Sequence, residues 1–361
     1  MDRELDAMGM LDLMVSPGFC VKNGIIIKCN AAAQGILLRE GMEIAPMLAT
    51  GTEEYAEFSS GCLYLILNIS GVLMGTSVTR MGDFDVFLPE EDAAQSELQA
   101  VALAARELRE PLAGIMTTVE RMFPLRILQE DPAMQDQAAR SNRGLYQMLR
   151  IIGNMSDAGR YASAAAAQLE TMDIPAFLQE IFARAQEPVS HAGITLRFEN
   201  LPHSLYALAD SEKLERAVMN ILSNALKFTP PGGSIDAKLT RKGKRLYLSV
   251  QDSGTGIPDA LRGSIHRRYL RQPGIDDSRQ GIGLGMVLIR SAAAIHGGTV
   301  LIDHPEDAGT RITMTLAIRQ DASGSVRSGR SPLLRIDYTG ERDHALLELA
   351  ESLPASLYEK L

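Results

Sequence analysis

Three short segments constrain this chain more than anything else in it: Asn220-Ile-Leu-Ser-Asn224-Ala-Leu-Lys227, Asp252-Ser-Gly254-Thr-Gly256 and Gly281-Ile-Gly283-Leu284-Gly285. On a helix, residues four apart share a face, so Asn220, Asn224 and Lys227 project to one side. A side-chain amide oxygen is a hard ligand suited to Mg²⁺, and a lysine one turn on offsets phosphate charge. Asp252 closes an apolar strand, Leu246-Tyr-Leu-Ser-Val250, where a carboxylate can accept a hydrogen bond from an adenine amino group. Gly254 and Gly256 let base and sugar come close to the backbone. The glycine loop at 281–285 precedes a helix, whose N-terminus and loop amides favour phosphate. Taken singly, these segments are equally a polar helix face, an Asp turn and a tight turn. In this order, with strand and helix between them, they read as a site for ATP held through Mg²⁺.

The 361 residues suffice for two or three domains, each with its own core, and 45% hydrophobic content is ordinary for such a chain. A formal charge of −9 without a basic face argues against nucleic acid as the main partner. Cys20, Cys29 and Cys62 match no metal-ligand spacing and are expected to be reduced, half-buried thiols, which suits a cytoplasmic location. The longest apolar run, 63–75, is broken by Asn68, Ser70 and Gly71 and falls short of the ~20 residues of a membrane helix, so no membrane span is expected. The N-terminal MDRELDAMGM carries no signal-peptide pattern.

The patterning predicts a multidomain α+β chain. Over residues 1–90, short apolar runs alternate with turns: Phe19-Cys-Val, the hairpin signal Lys22-Asn-Gly24, Ile25-Ile-Ile, a short helix over 30–38, then Cys62-Leu-Tyr-Leu-Ile-Leu and Gly71-Val-Leu-Met. This succession resembles a PAS sensor domain, another small α/β domain being the alternative. Over 91–165 the period becomes helical. Leu98, Val101, Ala105, Leu108, Leu112, Ile115, Val119 and Met122 form one heptad seam, and Met134, Ala138, Ser141, Leu145, Met148, Ile152 and Met155 a second. Pro124 and Pro132 bracket the break between them. Two antiparallel helices with single apolar stripes cannot hide those stripes alone, so a four-helix bundle made by a homodimer through residues 95–160 is expected. Over 166–319 the sequence predicts helices at 174–185, 211–228 and 286–296 and strands at 194–200, 234–239, 245–251, 299–303 and 311–318. These amount to an α/β sandwich. Residues 320–361 read as a Ser/Gly/Arg-rich linker, a short strand at 333–338 and a helix through Leu353, without a functional reading.

The segments at 220–230, 252–258 and 281–298, the last ending Ile295-His-Gly-Gly298, resemble the N, G1 and G2 boxes of sensor histidine kinases, a family with a Bergerat-fold ATP-binding domain. The helix pair sits where that family's dimerisation domain sits, so the resemblance covers about residues 95–318. It implies Mg-ATP as ligand, Asn224 as magnesium ligand, Asn220 and Lys227 at the phosphates, Asp252 at adenine, and the glycines 254, 256, 281, 283 and 285 with Leu284 around the nucleotide. It also implies a response regulator or partner kinase downstream. The charged stretch 257–280 reads as a lid, but its aromatic pattern is degraded: His266 stands for the usual Phe and Tyr269 is the one aromatic residue of Ile265-His-Arg-Arg-Tyr-Leu-Arg271.

One motif departs from the family. Where these kinases carry His-Glu-x-x-Thr/Asn-Pro, this chain reads Arg106-Glu107-Leu-Arg-Glu110-Pro111. A guanidinium stays protonated at any usable pH and has no lone pair with which to attack phosphorus, so Arg106 cannot accept a phosphoryl group. The first histidine of the chain, His191, lies past both helices. Glu107 retains the family's acid, Glu110 replaces the Thr/Asn, and an Arg106–Glu110 ion pair on the helix surface is expected. His296 is expected to pack or cap a helix end, and His191, His203, His304 and His344 to be loop or surface residues. Two readings follow: an ATP-binding signalling protein that does not phosphorylate itself at the usual position, or a kinase or ATPase acting in trans through Asn224, Lys227 and Glu107. A serine-directed kinase on the same fold is disfavoured by the helical hairpin.

Overall fold

The computed structural model describes residues 9, 11–90, 93–161, 167–256, 283–305, 309–319 and 343–359. The stretch read as a lid, with His266 and Tyr269, lies outside them, as do Gly281, the 320–331 linker and the strand expected at 333–338.

The N-terminal part contains β1 (Phe19–Lys22), β2 (Ile25–Cys29), α1 (Ala31–Gly35), α2 (Thr52–Ala56), β3 (Cys62–Ile69), β4 (Val72–Met81) and β5 (Phe84–Pro89). Asn23 and Gly24 both take positive φ, 53° and 77°, the twist a two-residue hairpin requires between β1 and β2. Asn30 caps α1, its Oδ1 accepting from Ala33 N–H at 2.9 Å. Period-2 alternation on β3 turns Leu63, Leu65 and Leu67 into a core shared with Phe19, Val78 and Phe87. The three cysteines are fully buried rather than half-buried. Each side chain is small and apolar enough to fill the inner face of a strand, and burial pushes the Cys20 thiol up to about 11.

The hairpin is α3 (Ala93–Met122) and α5 (Pro132–Tyr161), with a short α4 (Leu125–Glu130) between the two prolines. The long helices run antiparallel: Arg109 donates to Ser156 Oγ at 2.8 Å, and Gly159 lies against Leu98 and Ala102. The α3 seam splits. Leu98, Ala105 and Leu112 are buried, while Leu108, Ile115 and Met122 are 48%, 49% and 63% exposed. One side of α3 faces the second helix, and Met116, one turn past Leu112, fills the inward place that Ile115 leaves. Arg106, Glu107 and Glu110 are exposed, and the ion pair expected between Arg106 and Glu110 does not form.

The third part holds β6 (Glu170–Asp173), α6 (Ile174–His191), β7 (Thr195–Glu199), β8 (Tyr206–Ala209), α7 (Ser211–Phe228), β9 (Ser234–Lys242), β10 (Arg245–Asp252), α8 (Leu284–Ile295), β11 (Val300–Asp303) and β12 (Arg311–Ala317). β6 and β8 form a two-stranded sheet that the sequence reading missed. Inward residues of β9, β10 and β12, such as Ile235, Leu248 and Met314, form one core with the buried faces of α6, α7 and α8. β11 pairs antiparallel with β3, Val300 opposite Tyr64, so the two parts share a ten-stranded sheet in the order β2-β1-β5-β4-β3-β11-β12-β10-β9-β7. Gly61 permits the junction: its φ is +86°, and a Cβ there would strike the Ile302 carbonyl.

The C-terminal segment is no loose extension. The helix expected through Leu353 ends at Glu348 as α9 (His344–Glu348), and a 3-10 turn, Ala355–Tyr358, follows Pro354, which cannot continue a helix. Leu347, Leu349, Ala350, Leu353 and Tyr358 are buried in the same core as α5, α6 and α7. Among the described residues no helix is long and apolar enough to cross a membrane.

Candidate nucleotide site

α7 begins at Asp210, whose carboxylate accepts from Lys213 N–H at 3.1 Å and pairs with the Lys213 ammonium at 2.7 Å. Burial pushes the Asp210 carboxyl up, but the hydrogen bonds from Lys213 and Gln168 outweigh it and hold the group below its ordinary value. Leu214, Ala217, Val218, Ile221, Leu222 and Ala225 bury the opposite face of the helix. The face at 216, 220, 224 and 227 looks elsewhere. Asn220 is buried, its Nδ2 donates to the Arg216 carbonyl at 2.8 Å, and its Oδ1 is buried without a hydrogen-bond partner. Asn224 is half-buried. The Lys227 ammonium lies 5.6 Å from the Phe228 ring centroid and 3.8 Å from Glu351.

Alternation along β10 buries Leu246, Leu248, Val250 and Asp252, so Asp252 shares the helix-facing side of the sheet. Its Oδ1 accepts from Gly254 N–H at 2.8 Å and Thr310 N–H at 3.2 Å. Both recorded side-chain bonds thus converge on one oxygen. Burial pushes this carboxyl above its ordinary value despite those bonds and the nearby His304. Three glycines shape the surroundings for steric reasons. A Cβ at Gly254 would meet Asp252 Oδ1 at 2.8 Å, Gly256 takes φ +71° beside His304, and Gly309, with φ +86°, lies against the Asp252 carbonyl. Thr310 and Gly309 are site residues that the sequence reading did not find, because a turn preceding a strand carries no sign of which carboxylate it will meet.

Gly283 takes φ 78° and leads into α8. Leu284 is buried against Leu98 and Ala158 of the hairpin, which leaves only its backbone to meet a nucleotide. Gly285 sits in the first turn of α8, where a Cβ would lie 2.8 Å from Asn220 Oδ1. Its lack of a side chain therefore serves the approach of α7 to α8 as well as any ligand.

These residues fit a magnesium-bound nucleotide. Among the described residues no cluster of three His, Cys, Asp or Glu side chains could hold a metal by itself. A cation shared between an amide oxygen and phosphates needs none, because Mg²⁺ keeps waters and takes few protein ligands. The orphaned Asn220 Oδ1 is a buried acceptor that the cation or one of its waters would satisfy, and a phosphate oxygen would not.

The other candidates are dispersed. Glu107 and Arg106 are exposed on α3 and make no hydrogen bond or ion pair among the described residues. His296 ends α8 as expected: buried, it contacts the Ala292 carbonyl through Nδ1 at 2.7 Å and accepts from Asp210 N–H through Nε2 at 3.0 Å. The second bond fixes the tautomer, with the proton on Nδ1. His191 and His203 are exposed. His344 is not a surface residue: it is half-buried and its Nδ1 lies 3.1 Å from Glu215.

Residues 209–320 match the family described as "Histidine kinase-, DNA gyrase B-, and HSP90-like ATPase". The chain is 30% identical over 301 residues to the signal transduction histidine-protein kinase/phosphatase MprB of Mycolicibacterium vanbaalenii, covering 80% of this chain and 59% of that one. To the sensor histidine kinase WalK of Bacillus subtilis it is 28% identical over 240 residues, 64% of this chain and 38% of WalK. The chain belongs to the sensor histidine kinase family. Its third part is therefore a Bergerat-type ATPase domain within a mixed α+β chain. Against the adaptive-response sensory kinase SasA of Synechocystis it is 28% identical, covering 69% of this chain and 68% of SasA. Among solved structures, a mycobacterial sensor histidine kinase MprB superposes with TM-score 0.36 at 28% identity, over 43% of this chain and all of that one. Full-length ShkA in complex with AMPPNP gives TM-score 0.48 at 21% identity, over 65% and 48%. The chain thus spans 59% of the length of MprB, 38% of WalK and about two thirds of SasA.

Proposed function

We propose that this sensor histidine kinase binds Mg-ATP between α7, the end of β10 and the start of α8, and that it does not phosphorylate itself at the usual helix position. What carries the reading is Asp252: a buried carboxylate on the helix-facing side of the sheet, with both recorded side-chain hydrogen bonds on one oxygen. The other oxygen is suited to accept the adenine amino group. In this assignment Asn224 ligates Mg²⁺, Asn220 and Lys227 meet the phosphates, and the backbone at 254, 256, 281 and 283–285 lines the nucleotide. The metal supplies charge neutralisation for the phosphates, while the protein's own groups orient base and triphosphate. No acceptor follows on the hairpin, because Arg106 offers no nucleophilic lone pair.

The rest of the chain then transmits a state rather than a phosphoryl group. The strand order β2-β1-β5-β4-β3 supports a PAS-like sensor at 1–90, and the exposed Leu108, Ile115 and Met122, seven residues apart, support a homodimeric four-helix bundle. A response regulator or another kinase is the partner class, in the cytoplasm. Labelled ATP tests the acceptor claim: acid-labile phosphate on the purified chain would overturn it. Calorimetric titration tests the pocket, with Asp252→Asn expected to weaken ATP binding about ten- to a hundredfold, the range of a lost hydrogen bond to a charged group.

A second reading, phosphoryl transfer to another protein or ATP hydrolysis, is favoured by the exposure of Glu107 on α3 and the presence of Asn224 and Lys227. Steady-state phosphate release, alone and with a candidate substrate, separates the two.

A further inference from the structure

Residues 343–359 occupy the groove between the second hairpin helix and the helix that carries Asn220, Asn224 and Lys227. Tyr358 is buried edge-on to Tyr146 of α5, ring centroids 5.1 Å apart, and its hydroxyl donates to the Leu346 carbonyl at 2.7 Å. Asn142 donates to the Tyr358 carbonyl at 2.9 Å, and Arg143 and Gln147 donate to the Ala350 carbonyl at 3.3 and 3.1 Å. The segment also inserts two carboxylates. Glu348, fully buried, pairs with Arg216 of α7 and lies 3.8 Å from Arg150 of α5. Glu351 pairs with Arg150 at 2.8 Å and reaches to within 3.8 Å of Lys227. Asp157 of α5 completes the set through two bonds from Arg216, at 2.8 and 2.6 Å.

We propose that this segment is an autoinhibitory latch: Glu351 stands at Lys227 where a nucleotide phosphate would, so phosphate binding and latch seating oppose one another. The inference rests on the Mg-ATP reading above. Its physical basis is competition for one ammonium. Lys227 lies at the edge of a largely buried cluster in which Arg150 and Arg216 meet Asp157, Glu348 and Glu351, with Arg143 at the Glu351 carbonyl and His344 3.8 Å from Glu348. A triphosphate that recruits Lys227 brings an excess of negative charge beside the Glu348 and Glu351 carboxylates. Buried ions tolerate such imbalance poorly, and relief comes when the carboxylates of the latch move to water. Linkage then works in both directions: the seated latch weakens nucleotide by the factor by which nucleotide weakens the latch. Because α9 and the residues after it bridge α5 and α7, their release also frees the ATPase domain from one of its attachments to the hairpin.

The test uses the intact chain, wild type and Glu351→Gln, titrated with a non-hydrolysable ATP analogue plus Mg²⁺ and, separately, with adenosine. Removing one carboxylate near the phosphates is expected to tighten the analogue about tenfold, within the usual range of coupling between sites, and to leave adenosine unchanged. Hydrogen exchange on the wild type is expected to show protection of 343–359 that falls when the analogue saturates and not with adenosine. Equal analogue affinities, an equal gain for adenosine, or unaltered protection would overturn the latch while leaving the nucleotide reading intact. Absence of binding by either protein would overturn the nucleotide reading, and the competition with it.

Discussion

Arg216 of α7 and Glu348 of α9 form a buried ion pair across 132 residues of chain, and Asp157 of α5 shares the same guanidinium. Three separate stretches of sequence thus meet at one cation. Replacing Arg216 with alanine removes the guanidinium that Asp157 and Glu348 share, leaving Arg150 at 3.8 Å from Glu348, and a loss of about 3–5 kcal/mol is expected. Arg106→Ala, on the exposed face of α3, is expected to change stability by less than about 0.5 kcal/mol. Urea denaturation of the two variants side by side checks the contrast.

Asp252 is held against its own ionisation. Burial raises its carboxyl above the ordinary value, so the folded chain takes up that proton more readily than the unfolded one. Its contribution to stability is full below the ordinary carboxylate range and is lost as pH rises through the raised folded value. At neutral pH the ionised group opposes folding. Asp252→Asn, which can still accept from Gly254 and Thr310, is therefore expected to melt above wild type at pH 7 while binding ATP less well. The gap should close below about pH 4. Calorimetric melting across that range is the measurement.

His296 has the opposite sign. Burial lowers its value, and as the neutral tautomer it accepts from the Asp210 backbone while donating to Ala292. The stability it contributes is full above the ordinary imidazole value of about 6.5 and is lost as pH falls towards the depressed folded value. The slope from this one group is at most about 1.4 kcal/mol per pH unit. Melting of wild type is expected to fall between pH 6.5 and 5, and the His296→Gln profile to be flatter.

Leu108 and Ile115 lie one heptad apart on the outer side of α3, each about half exposed. If a second copy covers them, placing a charge there breaks the dimer without disturbing the inner core formed by Ala105, Leu112 and Met116. A Leu108→Asp, Ile115→Asp variant is expected to sediment as a monomer with unchanged circular dichroism. A dimer of undiminished stability would move the interface elsewhere.

The local grammar of the ATPase domain was legible. The helix read at 211–228 forms over Ser211–Phe228, because its Asp210 cap and its apolar face are both local features. The strands read at 234–239 and 245–251 form with their ends extended by one to three residues. β6 escaped notice because Glu-Thr-Met-Asp has no buried face of its own and becomes a strand only by pairing with β8. The α3 seam was read as one stripe of eight residues. Only one side of α3 meets the second hairpin helix, which turns Leu98, Ala105 and Leu112 inward and Leu108, Ile115 and Met122 outward, and a seven-residue template does not reveal which side that is.

By itself the sequence determined the polar face at 220, 224 and 227, the carboxylate that ends β10, the glycines that must stay bare, and the arginine at 106. These are properties of residue type and short-range period, fixed before the chain folds. Only the tertiary structure decided that β3 joins β11, that Gly285 makes room for Asn220, and that Glu351 comes to Lys227 from the far end of the chain. Those relationships join residues many positions apart, set by packing and by the pairing of buried charge, and nothing in the local sequence of either partner names the other.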